Sequence, residues 1–376
     1  MTISSPAGDQ SDRREARARQ WAWRCGALAL AAACLFVGVV LARSAWNPLR
    51  FAHIGTAFSE NDPAGYSGYD GQFFYAIARD WTDAAPAIDG PSLRYMRILY
   101  PLTARLLALS QPALVPWTLI LVNMLACAVG TGLMTYLIGR WGGHPAWGLL
   151  YIAWVGTWFV IRLDLSELLC FALALGAVVA YDRRRVGPTA ALLVLATLAK
   201  ELGLVFAAGL ALHALVTERR WQDALLIGLA PLLTFAGWLL ILRAWLGRFP
   251  FGYPAARLYL PFVGLLTVED PAARLLVGLW LGLPTALLAG LMLCQIARTR
   301  RLSPSAALLL AGAGFVMVMP RVSWEDALAA FRVGMPVVIA GLLFLAEHRP
   351  RLLPLAAAFW LPALLLFPMT PGLLGY

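Results

Sequence analysis

Lysine is almost missing from this chain: Lys200 stands alone, and the other 29 basic residues are Arg. Such a bias reads as the composition of a GC-rich bacterial genome. Charge of either sign is scarce, at 13% of 376 residues, while 61% are hydrophobic and the mean hydropathy is +0.72. A soluble domain is nearer half apolar and a quarter charged, so that class is excluded, and no long polar block remains for a separate soluble domain. Five cysteines, Cys25, Cys34, Cys127, Cys170 and Cys294, all fall in apolar segments without a CxxC pair, which excludes a disulfide framework. The four histidines are scattered, with no metal-ligand spacing. Arg13 to Arg24 is a long basic stretch, and no small-residue cleavage site cleanly follows the apolar run after it, so a cleaved signal peptide is not expected. The net charge of +10 does not point to nucleic acid, because the basic residues sit in short connecting loops, as orientation signals do.

What is present in quantity is apolar sequence in repeated runs. About eleven spans are expected, near 25–42, 114–138, 146–161, 167–181, 187–200, 202–217, 223–243, 274–296, 304–319, 332–346 and 352–368. In lipid only helices or closed barrels satisfy their backbone, and these runs are too long for barrel strands. The expectation is an all-α polytopic membrane protein. Residues 1–24 form a basic cytoplasmic segment and 25–376 a single transmembrane domain.

Arginine placement sets the expected orientation in a cell membrane. With the N-terminus inside, the inner connections carry sixteen basic residues against seven acids, including Arg140, Arg183-Arg184-Arg185, Arg219-Arg220 and Arg298-Arg300-Arg301. The outer face carries fourteen against thirteen. Every inner connection contains Arg, as the positive-inside rule asks.

The outer loops are the informative ones. The first, about 43–113, contains Ser59-Glu60-Asn61-Asp62-Pro63, then Tyr69-Asp70-Gly71-Gln72-Phe73-Phe74-Tyr75. Phe73, Phe74, Ile77, Ala78 and Trp81 follow helical spacing, as do Ile98, Leu99, Leu102, Leu106 and Leu109. Both are expected to be helices lying in the membrane interface. A second long loop, about 244–273, is aromatic, with Phe249, Phe251, Tyr253, Tyr259 and Phe262.

Chemistry is expected from few residues. Asp70 reads as a general base on an acceptor hydroxyl, or as the N-cap of the helix after it. Glu60 and Asp62 would hold a divalent cation or donor hydroxyls, unless Asn61-Asp62-Pro63 only makes a turn. Lys200 and Glu201 sit in a tight outer hairpin, where they neutralise each other or Lys200 holds a lipid phosphate. Arg162, Asp164 and Glu167 flank another hairpin, as a salt-bridged tip or a polar wall. Arg321, Glu325, Asp326 and Arg332 share the last outer hairpin; Arg332 opens a span with no acid at i±4 in view, and either its fork holds phosphate oxygens or it snorkels to the interface. Arg94 and Arg97 contact either donor phosphate or lipid headgroups.

Taken in order, Tyr69-Asp70-Gly71-Gln72-Phe73-Phe74-Tyr75 with Ile77-Ala78-Arg79-Asp80, then Arg97-Ile98-Leu99-Tyr100-Pro101-Leu102, Leu165-Ser166-Glu167 and Ala199-Lys200-Glu201 resemble the landmarks of the GT-C superfamily of membrane glycosyltransferases. The likeness is to bacterial relatives of the GPI mannosyltransferase type. It implies inverting transfer of a sugar from a polyprenyl-phosphate donor to a glycan, lipid or protein acceptor at the outer face. Asp70 would be the base, and Lys200, Arg332 and Arg97 would hold the donor phosphate. Glu60, Asp62, Tyr69, Gln72, Asp164, Glu167 and Glu201 would line the substrates. The chain departs from the pattern in lacking a plain Asp-x-Asp in the first loop, which leaves metal dependence open. The competing class is a transporter or flippase for a lipid-linked substrate, which would bury charge mid-span and break helices in matched halves.

Overall fold

The computed structural model describes residues 6–60, 62–250 and 259–366. It is all-helical there, with no strand. The helices that position the site are α1 (Pro6–Arg43), α2 (Gly71–Arg79), α3 (Leu99–Leu107), α4 (Val115–Arg140) and α5 (Val155–Arg162). They continue with α6 (Glu167–Asp182), α7 (Val186–Ala199), α8 (Gly203–Val216) and α9 (Trp221–Leu246). The last are α10 (Leu283–Thr299), α11 (Pro304–Met317), α12 (Ala327–Val333) and α13 (Met335–His348).

Among the described residues, four helical stretches are long and apolar enough to cross a membrane: Arg14–Arg43, Pro112–Arg140, Trp221–Leu246 and Pro271–Thr299. α12 and α13 make a fifth if their 43° bend is counted within one span. α7, α8 and α11 are apolar but shorter, 14 residues each, about 21 Å at 1.5 Å per residue. The chain is therefore a helical, polytopic membrane protein. The stretch expected as one span over 146–161 is instead two short helical pieces joined at Trp154, whose indole donates to the Phe331 carbonyl at 2.8 Å. Gly156 permits that joint, since a Cβ there would stand 2.4 Å from the same oxygen. The bend between α12 and α13 falls at Gly334-Met335-Pro336, where Pro336 has no N–H to continue the ladder.

The first loop corrects an expectation. Phe73, Phe74 and Ile77 are buried against protein, not laid on the interface. Phe73 and Ile77 pack with Tyr95, Met96 and α9 residues Phe235, Leu239 and Leu242, and Phe74 meets Tyr100 edge-on. Trp81 lies beyond the end of α2. Amphipathicity marks a face that must be covered but not what covers it. α3 does keep Leu102 and Leu106 exposed, as a lipid-facing helix would, while Leu109 is exposed just beyond its end. Of the aromatic loop, Phe251 and Tyr253 lie outside the described residues.

α6 fixes the relative placement of the loops. Glu167 begins it, and Arg183-Arg184-Arg185 follow its other end. Since Asp70 is linked to Glu167 through Arg332, the first loop and the triple arginine lie at opposite ends of the bundle.

Candidate functional site

Asp70 is fixed from three sides. The Tyr69 N–H donates to the His53 carbonyl at 3.0 Å. The Gln72 side chain accepts from the Gly55 N–H at 3.1 Å and donates to the Ser67 carbonyl at 2.7 Å, so its amide is spent on the loop. Gly71 presses on the α5–α6 hairpin, where an added Cβ would stand 2.1 Å from the Leu163 carbonyl oxygen. Asp70 occupies the N-cap position of α2 but makes no capping bond. The expected N-cap position is thus held without the capping bond; the carboxylate is taken by cations instead.

Those cations are Arg94 at 2.8 Å, Arg332 at 3.3 Å and Arg97 at 4.0 Å. Each has a second acid. Arg94 grips Asp89 through two bonds of 2.8 and 2.9 Å, and Arg97 grips Glu201 through two of 3.0 and 2.8 Å. Arg332 donates to Glu167 at 2.5 Å, and Glu167 also takes Lys200 at 2.6 Å. The chain from Asp89 through Arg94, Asp70, Arg332 and Glu167 to Lys200 joins residues up to 262 positions apart. Tyr69 completes it, its ring beneath the Arg332 guanidinium at 5.3 Å and its hydroxyl donating to Asp326 at 2.8 Å. Asp326 also caps α12 by accepting from the Leu328 N–H.

Two expectations change here. Lys200 and Glu201 do not neutralise each other; the backbone is extended at Lys200, and the two side chains pair with Glu167 and Arg97 instead. Arg332 is not without an acid partner, because its two carboxylates come from distant parts of the chain. At the neighbouring tip, Glu167 pairs with Lys200 and Arg332 from outside it, Arg162 donates to the Arg50 carbonyl at 2.6 Å, and both Asp164 oxygens are buried with no hydrogen-bond partner. Burial pushes the Asp164 carboxyl up against the pull of Arg162. For Asp70 burial works in the same direction, but Arg94, Arg332 and Arg97 together overcome it and hold the carboxyl well below the usual range. Burial likewise raises the Tyr69 phenol.

Access is graded. Lys200 is 2% exposed and Glu167 0%, so Lys200 acts as a charge behind Arg332. The Arg94 and Arg97 side chains are 11% exposed and Asp70 16%, so these reach the surface. Glu60 and Asp62 are exposed, and Asp62 accepts from the Ala64 N–H at 3.0 Å, as in a turn. Asn61 lies outside the described residues. Among the described residues, no three His, Cys, Asp or Glu side chains gather as a metal ion would need.

Asp89 is the member that the sequence does not single out, and the sequence places Asp326 only with its chain neighbours Arg321, Glu325 and Arg332. Asp89 precedes Gly90-Pro91 and reads as turn chemistry, and Asp326 reads as a helix cap. Asp326 carries no signal for Tyr69, 257 positions away. Compared with known proteins, the chain matches no family model, no curated protein and no solved structure.

Proposed function

We propose that the chain is an inverting glycosyltransferase of GT-C type, moving a sugar from a polyprenyl-phosphate donor to an acceptor at the outer face of a cell membrane. The observation that carries this reading is a single carboxylate, Asp70, within 4.0 Å of three largely buried arginines, two of which, Arg94 and Arg97, keep an edge at the surface beside apolar helices. Ionisable groups at membrane depth are costly and usually functional, and guanidinium forks match phosphate oxygens. About eleven crossings, with the N-terminus in the cytoplasm, put this end of the bundle outside.

The reaction follows from exchange of anions. At rest Asp70 occupies Arg94, Arg332 and Arg97. A donor phosphate takes over these guanidiniums, and Asp70, relieved of them, regains basicity. The acceptor hydroxyl then attacks the anomeric carbon, its proton passes to Asp70, and the bond from that carbon to the phosphate oxygen breaks. Polyprenyl phosphate leaves with the electron pair, its added charge met by Arg94 and Arg97, with Lys200 supporting Arg332 from behind.

The test uses purified chain in lipid nanodiscs with labelled polyprenyl-phosphate mannose and envelope lipids from cells lacking the chain. Label should move to acceptor and polyprenyl phosphate should appear. Mass spectrometry of envelope glycans with and without the chain should differ by one hexose. No difference, with no release of polyprenyl phosphate, overturns the reading. One feature favours the transporter reading, namely the fully buried, unpaired Asp164 near the bent α12–α13 pair's partner Glu167. That reading predicts lipid-linked sugar flux in proteoliposomes without bond cleavage.

A further inference from the structure

At the end of the bundle opposite Asp70, α1, α4 and α6 enclose a trough of about 660 Å³. Its walls are apolar, from Trp23, Leu30, Val129, Leu133 and Val179, and its mouth carries Arg19, Arg183 and Tyr136. The trough exists because α1 and α4 touch by backbone. A Cβ on Gly26 would stand 3.1 Å from the Ala128 carbonyl oxygen, and one on Gly132 would stand 3.1 Å from that of Ala22. The larger side chains flanking this crossing stand away from it and leave the groove between them.

Three facts select the occupant. From Arg19 to Leu30 is eleven residues of α1, about 16 Å at 1.5 Å per residue, close to the roughly 15 Å depth of one leaflet's hydrocarbon. The walls offer an acyl chain only apolar contact. The mouth has surplus positive charge: Arg19, Arg140 and Arg183 share Glu15 at 2.5, 3.2 and 3.5 Å. Asp182 is the remaining carboxylate on Arg140, so three cations meet two acids. Arg19 remains 61% exposed, and Arg183 also donates to the Tyr136 hydroxyl oxygen at 3.2 Å.

We propose that this trough binds one anionic phospholipid, its acyl chain along α1 and α4 and its phosphate between Arg19 and Arg183. The lipid lies in the leaflet away from the Asp70 cluster. This site is independent of the glycosyltransferase reading.

The test is native mass spectrometry of the full chain released from nanodiscs of equimolar phosphatidylglycerol and phosphatidylcholine. The wild-type chain should retain one phosphatidylglycerol in preference to phosphatidylcholine. A basic residue near an anionic surface is worth about fivefold in affinity, so Arg19→Gln should cut the preference about fivefold, and adding Arg183→Gln should bring it near parity. Val129→Phe fills the trough and should remove the retained lipid of either headgroup. Arg19 is exposed, so its variant folds even if the others do not. Equal retention of the two lipids by wild type, or a preference unchanged in Arg19→Gln, overturns the proposal. So does a dimer in wild type that Val129→Phe abolishes, which would make a second copy the occupant.

Discussion

Replacing Asp70 by Asn separates what this carboxylate does for the fold from what it does for the reaction. Three arginines would lose one charge partner, but none is stranded. Arg94 keeps Asp89 at 2.8 Å, Arg97 keeps Glu201 at 2.8 Å and Arg332 keeps Glu167 at 2.5 Å. The cost is thus that of one hydrogen-bonded charge contact, about 1.5–3 kcal/mol, and not the roughly 3–5 kcal/mol of orphaning a buried ion. The variant should fold. Turnover should fall about 10²–10⁴-fold with the base gone. Donor binding should move the other way. In wild type the phosphate must displace Asp70, and in the variant it meets free guanidiniums, so affinity for polyprenyl monophosphate should rise about tenfold, the equivalent of roughly 1.4 kcal/mol. Calorimetry with polyprenyl monophosphate reads the second effect without knowledge of the acceptor, and transfer from polyprenyl-phosphate mannose reads the first. A folded variant with wild-type turnover would refute the base. Weaker phosphate binding would refute the exchange of anions.

Glu167→Gln should destabilise by about 3–5 kcal/mol, because it leaves the Lys200 ammonium buried beside an amide; adding Lys200→Met should recover much of the loss, and strictly additive losses in thermal unfolding would show that the two do not couple. Arg97→Ala should weaken polyprenyl monophosphate binding about tenfold or more while sparing the fold, since Glu201 is partly exposed, and unchanged binding in calorimetry would remove Arg97 from the phosphate site. Glu60→Gln with Asp62→Asn should leave transfer within about twofold, and a large loss would return these residues to the substrate. His53 has its pKa lowered to about 4, by burial first and then by Arg162 and Arg50. Its folded value lies below the ordinary 6.5, so the stability it contributes is complete above pH 6.5 and is lost as pH falls toward 4. Thermal midpoints of wild type should drop across that window, and His53→Gln should flatten the drop.

Local features were legible in the sequence and distant pairings were not. The helix after Asp70 follows from the spacing of Phe73, Phe74 and Ile77, and the tight hairpins at Glu167 and Lys200 follow from short polar breaks between apolar runs. The convergence of Asp70, Glu167, Lys200 and Arg332 was expected from their common outer position. Which acid meets which base was not readable, because partners such as Arg97 and Glu201 lie 104 residues apart and no periodicity links them. The burial of α2 was misjudged for a related reason: part of its cover, Phe235, Leu239 and Leu242, comes from α9, far along the chain.

Gly71 gives the site a tolerance of a single atom. Within a helix Ala is ordinarily favoured over Gly by about 1 kcal/mol, so local rules would welcome the exchange. Here the methyl group would meet the Leu163 carbonyl oxygen at 2.1 Å and wedge the loop away from the hairpin that carries Glu167. A scan of all substitutions across 70–79 should therefore show an inverted pattern at position 71. The change that strengthens most helices should be among the least tolerated, while half-buried Tyr75 and Ala76 and exposed Arg79 accept more. Diverged copies of this chain would vary at those positions and keep the first residue of the helix bare.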